Sequence, residues 1–124
     1  MDYKDYNDYE LLNYIKEGNE DANSILIKKY EPLINKIAIK MLPYCENNGL
    51  DLNDLVQEGM IGLNHALDRY KERENILFYT YAKKCIERKI ISTLVSANRS
   101  KNKILNNYTI FLERKKELFV LFII

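Results

Sequence analysis

Two stretches of this 124-residue chain carry side chains whose types and spacing could do chemistry. The first is Asp54-Leu55-Val56-Gln57-Glu58-Gly59-Met60-Ile61-Gly62-Leu63. On a helix, Asp54, Gln57, Glu58 and Ile61 recur at three- and four-residue steps, so they share a face opposite much of an apolar stripe. That face offers carboxylates and an amide; spacing alone favours an ordinary solvated helix face. The second stretch places Phe78, Tyr79 and Tyr81 just ahead of Lys83, Lys84, Arg88 and Lys89. Aromatic rings stack on the faces of unpaired bases for about 1–3 kcal/mol per base. Basic side chains hold phosphates in a salt-dependent way. One helix would supply both. Phe78 and Tyr81 also have the spacing of a core stripe, and Tyr79 fits either a contact or a plain surface position.

Charge distribution points the same way. The chain is nearly neutral, at +1. Residues 1–21 hold seven acids against two bases, whereas Lys83 to Lys103 hold seven bases against one acid, Glu87. A basic segment behind an acidic start suits an anionic partner. Enzyme signatures are absent: there is no phosphate-binding Gly-rich loop, no Gly-x-Ser-x-Gly and no His-Glu-x-x-His. Cys45, Cys85 and His65 have no metal-ligand spacing. The expectation is a protein that is not an enzyme and needs no cofactor or metal. With no apolar leader, both thiols are expected free in a reducing cytoplasm. Leu118 to Ile124 are all apolar, but seven residues fall far short of the roughly 20 that span a bilayer. They read as a packing or docking tail, or as the ragged end of a shortened gene.

The elements that must position these residues read as an all-α fold, a compact helical domain of about four to five helices. Glycine (four) and proline (two) are scarce, and apolar positions recur at helical steps. Asp2 to Glu10, with its three Asp-Tyr repeats, reads as a solvated lead-in overlapping a short helix from Asp8 to Glu17, stopped at Gly18. A second helix is expected from about Ala22 to Leu42, capped by Asp21 or Asn23 and kinked or divided at Pro32. A third starts near Asp51, where Asp51 and Asp54 have the spacing of a capping box. Its buried side is marked by Leu52, Leu55, Val56, Gly59, Leu63, Ala66, Leu67 and Tyr70. Gly59 and Gly62 each cost a helix about 1 kcal/mol relative to Ala, which suggests close approach of another helix. A fourth is expected from about Leu77 to Ala97, then a loop or frayed end from Asn98 to Asn107 and a short helix from Tyr108. The chain divides into a lead-in and short helix (1–18), a helical domain (19–107) and an apolar tail (108–124).

The Asp54–Leu63 run, followed by Ala66, Asp68, Arg69 and Tyr70 and then by Phe78-Tyr79-Thr80-Tyr81-Ala82, resembles conserved region 2 of bacterial RNA polymerase sigma factors of the principal superfamily. The distance between the two runs is also the family's. Tyr81 to Ser92, with Ser96 to Arg99, is similar to the sporulation sigma-H type. The resemblance spans about Glu20 to Leu105. It implies that Asp54, Gln57 and Glu58, flanked by Met60 and Asn64, dock on the clamp helices of the largest subunit of core RNA polymerase. It implies that Phe78, Tyr79, Tyr81, Lys83, Lys84, Arg88, Lys89 and Arg99 engage promoter DNA. In the family, the position matching Tyr81 lies against a flipped adenine of the −10 nontemplate strand, and that matching Phe78 helps to hold the strand.

Two departures accompany the resemblance. Housekeeping members carry a Trp pair where this chain has Lys84 and Cys85, so melting is expected to be less autonomous. Arg88 matches a position that reads the first −10 base pair in some members; guanine and phosphate are equally suitable partners. No −35-reading helix-turn-helix is expected beyond Asn102. The function expected is that of a sigma-like transcription initiation protein, with an anti-sigma protein as a further partner the resemblance allows and no membrane. The alternatives are a truncated sigma-like module that binds polymerase without initiating transcription, and an unrelated helical protein-binding domain.

Overall fold

The computed structural model describes residues 7–72 and 75–101. Among them are four α-helices, α1 (Asp8–Lys16), α2 (Glu20–Met41), α3 (Leu52–Arg69) and α4 (Phe78–Lys101), a 3-10 turn (Leu42–Cys45), and no strand. The fold is all-α, as the periodicity requires. Arg99 and Lys101 lie within α4, whereas Lys103, the expected helix from Tyr108 and the apolar tail lie outside the described residues.

Local chemistry sets the helix boundaries. The Asn7 carboxamide accepts the Tyr9 N–H at 2.8 Å and starts α1. The helix stops where Gly18 turns to φ +87, with its N–H donating to Ile15 and that of Asn19 donating to Tyr14. This is the paired C-terminal closure that glycine permits. The second helix starts two residues earlier than expected. Its cap is Asn19, whose side chain accepts the Ala22 N–H at 3.1 Å; Asp21 lies in the first turn and Asn23 further in. Pro32 does not divide α2. Pro32 and Lys28, whose carbonyl it leaves without a helical partner, are both exposed, so water can satisfy the loss. The capping box of α3 is complete: the Asp54 N–H donates to Asp51 Oδ1 at 2.9 Å, and the Asp51 N–H to Asp54 Oδ2 at 3.0 Å.

One core unites all four helices. Leu11 and Leu12 of α1, Leu26, Tyr30, Ile34, Ala38 and Met41 of α2, Leu55, Leu63 and Ala66 of α3, and Phe78, Ala82, Ile86, Ile90 and Leu94 of α4 are buried together. Leu52, expected inside, is exposed at the first position of α3. Asn98, expected to open a loop, is only 5% exposed and lies within α4. Its carboxamide donates to Leu94 O at 2.9 Å and to Tyr44 O at 3.3 Å, tying the far end of α4 to the α2–α3 connection. A polar side chain with both partners supplied can stay inside a helix where composition suggests fraying.

The most extensive contact joins α3 to α4. Both buried α3 glycines serve it. A Cβ on Gly62 would lie 2.7 Å from Cys85 O and 2.8 Å from Ile86 Cα, while one on Gly59 would meet the side chains of Ile34, Ile90 and Ile86. Gly62 therefore touches backbone, which cannot step aside; Gly59 touches methyl groups, which can partly rotate. Overpacking of this kind typically costs about 1–3 kcal/mol, against about 1 kcal/mol gained in helix propensity. Gly62→Ala is expected to lower stability by about 2 kcal/mol and Gly59→Ala by less, measured by urea denaturation; equal or favourable effects would mean that α3 and α4 do not approach this closely.

Candidate nucleic-acid interface and docking ridge

The α3 stripe that buries Leu55, Gly59, Leu63 and Ala66 leaves Gln57, Ile61, Asn64 and Asp68 exposed at three- and four-residue steps on the other side. Four of the five expected polymerase contacts contribute a polar group here, but not equally. Gln57 and Asn64 are open to solvent. Asp54 commits Oδ2 to the capping box. Glu58 is half-buried, and its Oε2 is sealed from solvent without a hydrogen bond. The Lys89 ammonium at 3.6 Å balances that oxygen. Met60 is half-buried and packs on the core. Asn64 also opens on a cleft of about 410 Å³ lined by Asn19, Glu20, Asn23 and Asp68.

The aromatic start of α4 sorts by burial. Phe78, expected as a strand contact, is 1% exposed. The edges and faces of Tyr30 (5.6 Å, 78°) and Tyr70 (5.2 Å, 82°) enclose it. It presents no surface to a base and acts here as the core anchor of its helix, which corrects the expectation. Tyr79 is 50% exposed. Tyr81 is half-buried, tilted against Tyr70 at 5.8 Å, and lines a surface cleft. It thus combines the two roles that its spacing left open, packing on one side and bordering a cleft on the other.

That cleft, about 280 Å³, is bounded by His65 and Arg69 from α3 and by Tyr81, Cys85, Arg88, Lys89 and Ser92 from α4. The glycine-mediated approach of the two helices makes it, and so it gathers Tyr81, Arg88 and Lys89 beside two α3 residues outside the expected set. In sequence His65 reads as a surface residue, and Arg69 as part of a motif. Their offset of four places both on the α3 edge facing α4, a relation visible only once the pairing of α3 with α4 is known.

Lys83 faces elsewhere. With Tyr79 and Glu87 it borders a second cleft, about 190 Å³, completed by Leu33, Lys36, Ile37 and Lys40 of α2. Lys36 and Lys40 extend the basic surface onto α2; their four-residue spacing beside the apolar stripe was a usable signal. Lys84 is half-buried, and Arg99 is exposed near the end of α4. The basic residues therefore fall into at least two groups rather than one track. Both thiols are free, and burial pushes both up; at Cys85 the Tyr81 hydroxyl, Arg88 and Arg69 partly offset this. Among the described residues there is no cluster of His, Cys, Asp or Glu able to hold a metal ion, and no helix long and apolar enough to cross a membrane.

The family model for sigma-70 region 2 matches residues 26–100. The chain belongs to the sigma-70 region 2 family. That span takes in most of α2, all of α3 and nearly all of α4, hence both of the clefts that α4 lines. The RNA polymerase sigma-H factor of Bacillus subtilis is 37% identical over 101 residues, covering 82% of this chain and 44% of that protein. The sigma-E factor of Clostridium acetobutylicum is 35% identical over 85 residues (68% and 34%), and the sigma-K factor of Bacillus subtilis 34% over 84 residues (68% and 27%). The chain thus spans less than half the length of the curated relatives it matches. No solved structure gives a significant match. Membership of the family accords with the resemblance read from Asp54–Leu63 and Phe78–Arg99.

Glu87 sets a condition on this surface. It is 3% exposed, and burial raises its carboxyl above the usual range, opposed by Lys83, Lys40 and Lys84. A carboxyl whose folded pKa is raised holds its proton more tightly in the folded chain. Stability is then highest below its unfolded pKa and falls as pH rises through the folded value. Glu87→Gln is expected to flatten that fall above about pH 4.5 in urea titrations; an unchanged slope would show that the lysines fully offset burial.

Proposed function

We propose that this chain is a sigma-type initiation module. Its α3 ridge docks on core RNA polymerase, on the clamp helices of the largest subunit, and its α4 surface captures the nontemplate strand of the −10 promoter element. One observation above all supports this reading: α3 and α4 are locked together at Gly62. An amide- and carboxylate-bearing ridge therefore runs directly beside a cleft that combines an aromatic wall, Tyr81, with Arg69, Arg88 and Lys89. The relatives are RNA polymerase sigma factors by name, which supports polymerase as the partner. The division of labour follows from chemistry. Gln57 and Asn64 can exchange hydrogen bonds with a helical partner, and Asp54 and Glu58 can each add a carboxylate oxygen. On α4, Tyr81 and Tyr79 offer ring faces to unpaired bases, while lysines and arginines neutralise phosphates. This is binding chemistry, with no catalytic group assigned.

A pull-down on core polymerase followed by run-off transcription tests the reading. Gln57→Ala and Glu58→Lys are expected to weaken core binding severely while circular dichroism stays unchanged. Gln57→Ala is the cleaner test, because Glu58→Lys also sets two ammonium groups against each other at Lys89. Unchanged binding in both would remove the docking assignment. Binding of the wild-type chain without transcription would fit a module that occupies polymerase and does not initiate. For the strand surface, Tyr81→Ala is expected to lower affinity for a −10 single strand by about 5- to 150-fold, the loss of one stacked base, and affinity for random duplex much less. Equal losses on both would reduce Tyr81 to a packing residue.

A further inference from the structure

The acidic, tyrosine-rich start of the chain reads as a solvated lead-in, yet its third Asp-Tyr pair is built into the fold. The Asp8 carboxylate accepts a hydrogen bond from the Tyr30 hydroxyl at 2.6 Å on one oxygen, and Lys29 Nζ lies at 2.5 Å from the other. Tyr30 is almost fully buried, and burial together with the Asp8 carboxylate raises its phenol well above the usual range, so it remains a donor. Its ring meets Phe78 edge-on and supports Tyr79, at 6.2 Å between centroids and 40° between planes. Next to Asp8, the Tyr9 hydroxyl accepts the Phe78 N–H at 3.4 Å, one of the α4 amides that no helical carbonyl can serve. The first two residues of α1 therefore hold, directly or through one ring, the first two of α4, across about seventy residues of sequence.

We infer that Asp8 and Tyr30 are positioning residues for single-strand capture: the Asp8–Tyr30 hydrogen bond fixes the ring on which Tyr79 rests, and so sets the plane that Tyr79 presents to an unpaired base. This rests on the proposed role of α4 and adds α1, which the family match at residues 26–100 does not reach. The orientation matters because stacking needs a ring face held parallel to the base. Tyr79 is half-exposed, and its packing partner on that side is Tyr30. Without the carboxylate, the buried phenol loses its acceptor. Tyr30 must then shift toward another or leave a polar hydrogen unpaired. Either outcome reaches Tyr79 through one ring contact and the α3 docking ridge through none.

The test uses the full chain bound to core polymerase. Its probe is a dye-labelled single-stranded oligonucleotide selected from a randomised pool by the wild-type complex. Asp8→Ala and Tyr30→Phe are each expected to lower affinity for that strand by about three- to tenfold, in the range of remote coupling effects. Affinity for core polymerase should not change, and the double variant should be no worse than Asp8→Ala alone, since Tyr30→Phe removes only one of the two bonds that Asp8→Ala removes. Asp8→Glu, which keeps the carboxylate, should recover part of the loss. Unchanged strand affinity, additive losses, or losses shared equally with core binding would overturn the inference. If the wild-type complex enriches no strand, the proposed strand-binding function falls, and this inference with it; if it enriches one and the variants bind it equally, this inference alone fails.

Discussion

The close approach of α3 and α4 at Gly62 is the constraint on which everything else in this molecule depends. A hydrogen in place of a side chain lets Cys85 and Ile86 of one helix lie against the backbone of the other. At any greater separation, His65 and Arg69 would not share a cleft with Tyr81 and Arg88, nor would Glu58 reach Lys89. The cost in helix propensity, about 1 kcal/mol per glycine, is returned as burial of Leu55, Leu63, Ile86 and Ile90 along the seam.

A second layer of constraint is aromatic. Phe78 sits between Tyr30 and Tyr70, and each of these touches one tyrosine on the α4 surface, Tyr79 and Tyr81 respectively. The tyrosine hydroxyls reach polar partners that Phe could not: Tyr30 donates to Asp8, and Tyr70 to Ile76 O at 2.5 Å across the α3–α4 connection. Rings that pack on one side and bond on the other turn an apolar core into a fixed platform for exposed aromatics. The Glu58–Lys89 pair works on a smaller scale. Partly exposed ion pairs contribute little stability, roughly 0–1 kcal/mol. Its importance lies in joining a residue of the proposed docking ridge to one of the cationic cleft.

Much of this was legible in the sequence, for identifiable reasons. Helical periodicity gives the class, and the Asp51–Asp54 spacing and Gly18 mark helix ends because their chemistry is local. Gly59 and Gly62 announce a close contact, since nothing in helix propensity favours them. What could not be read was tertiary. Phe78 and Tyr81 have the same spacing relation to a core stripe, and only the placement of Tyr30 and Tyr70 decides that one is sealed and the other lines a cleft. Asn98 reads as a loop residue until Tyr44 O supplies its partner. Asn19 rather than Asp21 caps α2, a choice between neighbouring polar residues that depends on a turn at Gly18. Lys89 reads as a phosphate contact until Glu58 is found beside it, and Asp8 as solvated until Tyr30 reaches it.

Amide hydrogen exchange on the full chain, alone, on core polymerase, and on core polymerase with a captured single strand, addresses the division of surfaces most directly. Core polymerase should protect α3 around Gln57 to Asp68, and the added strand should then protect α4 around Tyr79 to Ser92 with little further change in α3. Protection of α4 by core alone, or of neither helix under any condition, would contradict a docking ridge and a strand-capturing cleft built on the two sides of one helical seam.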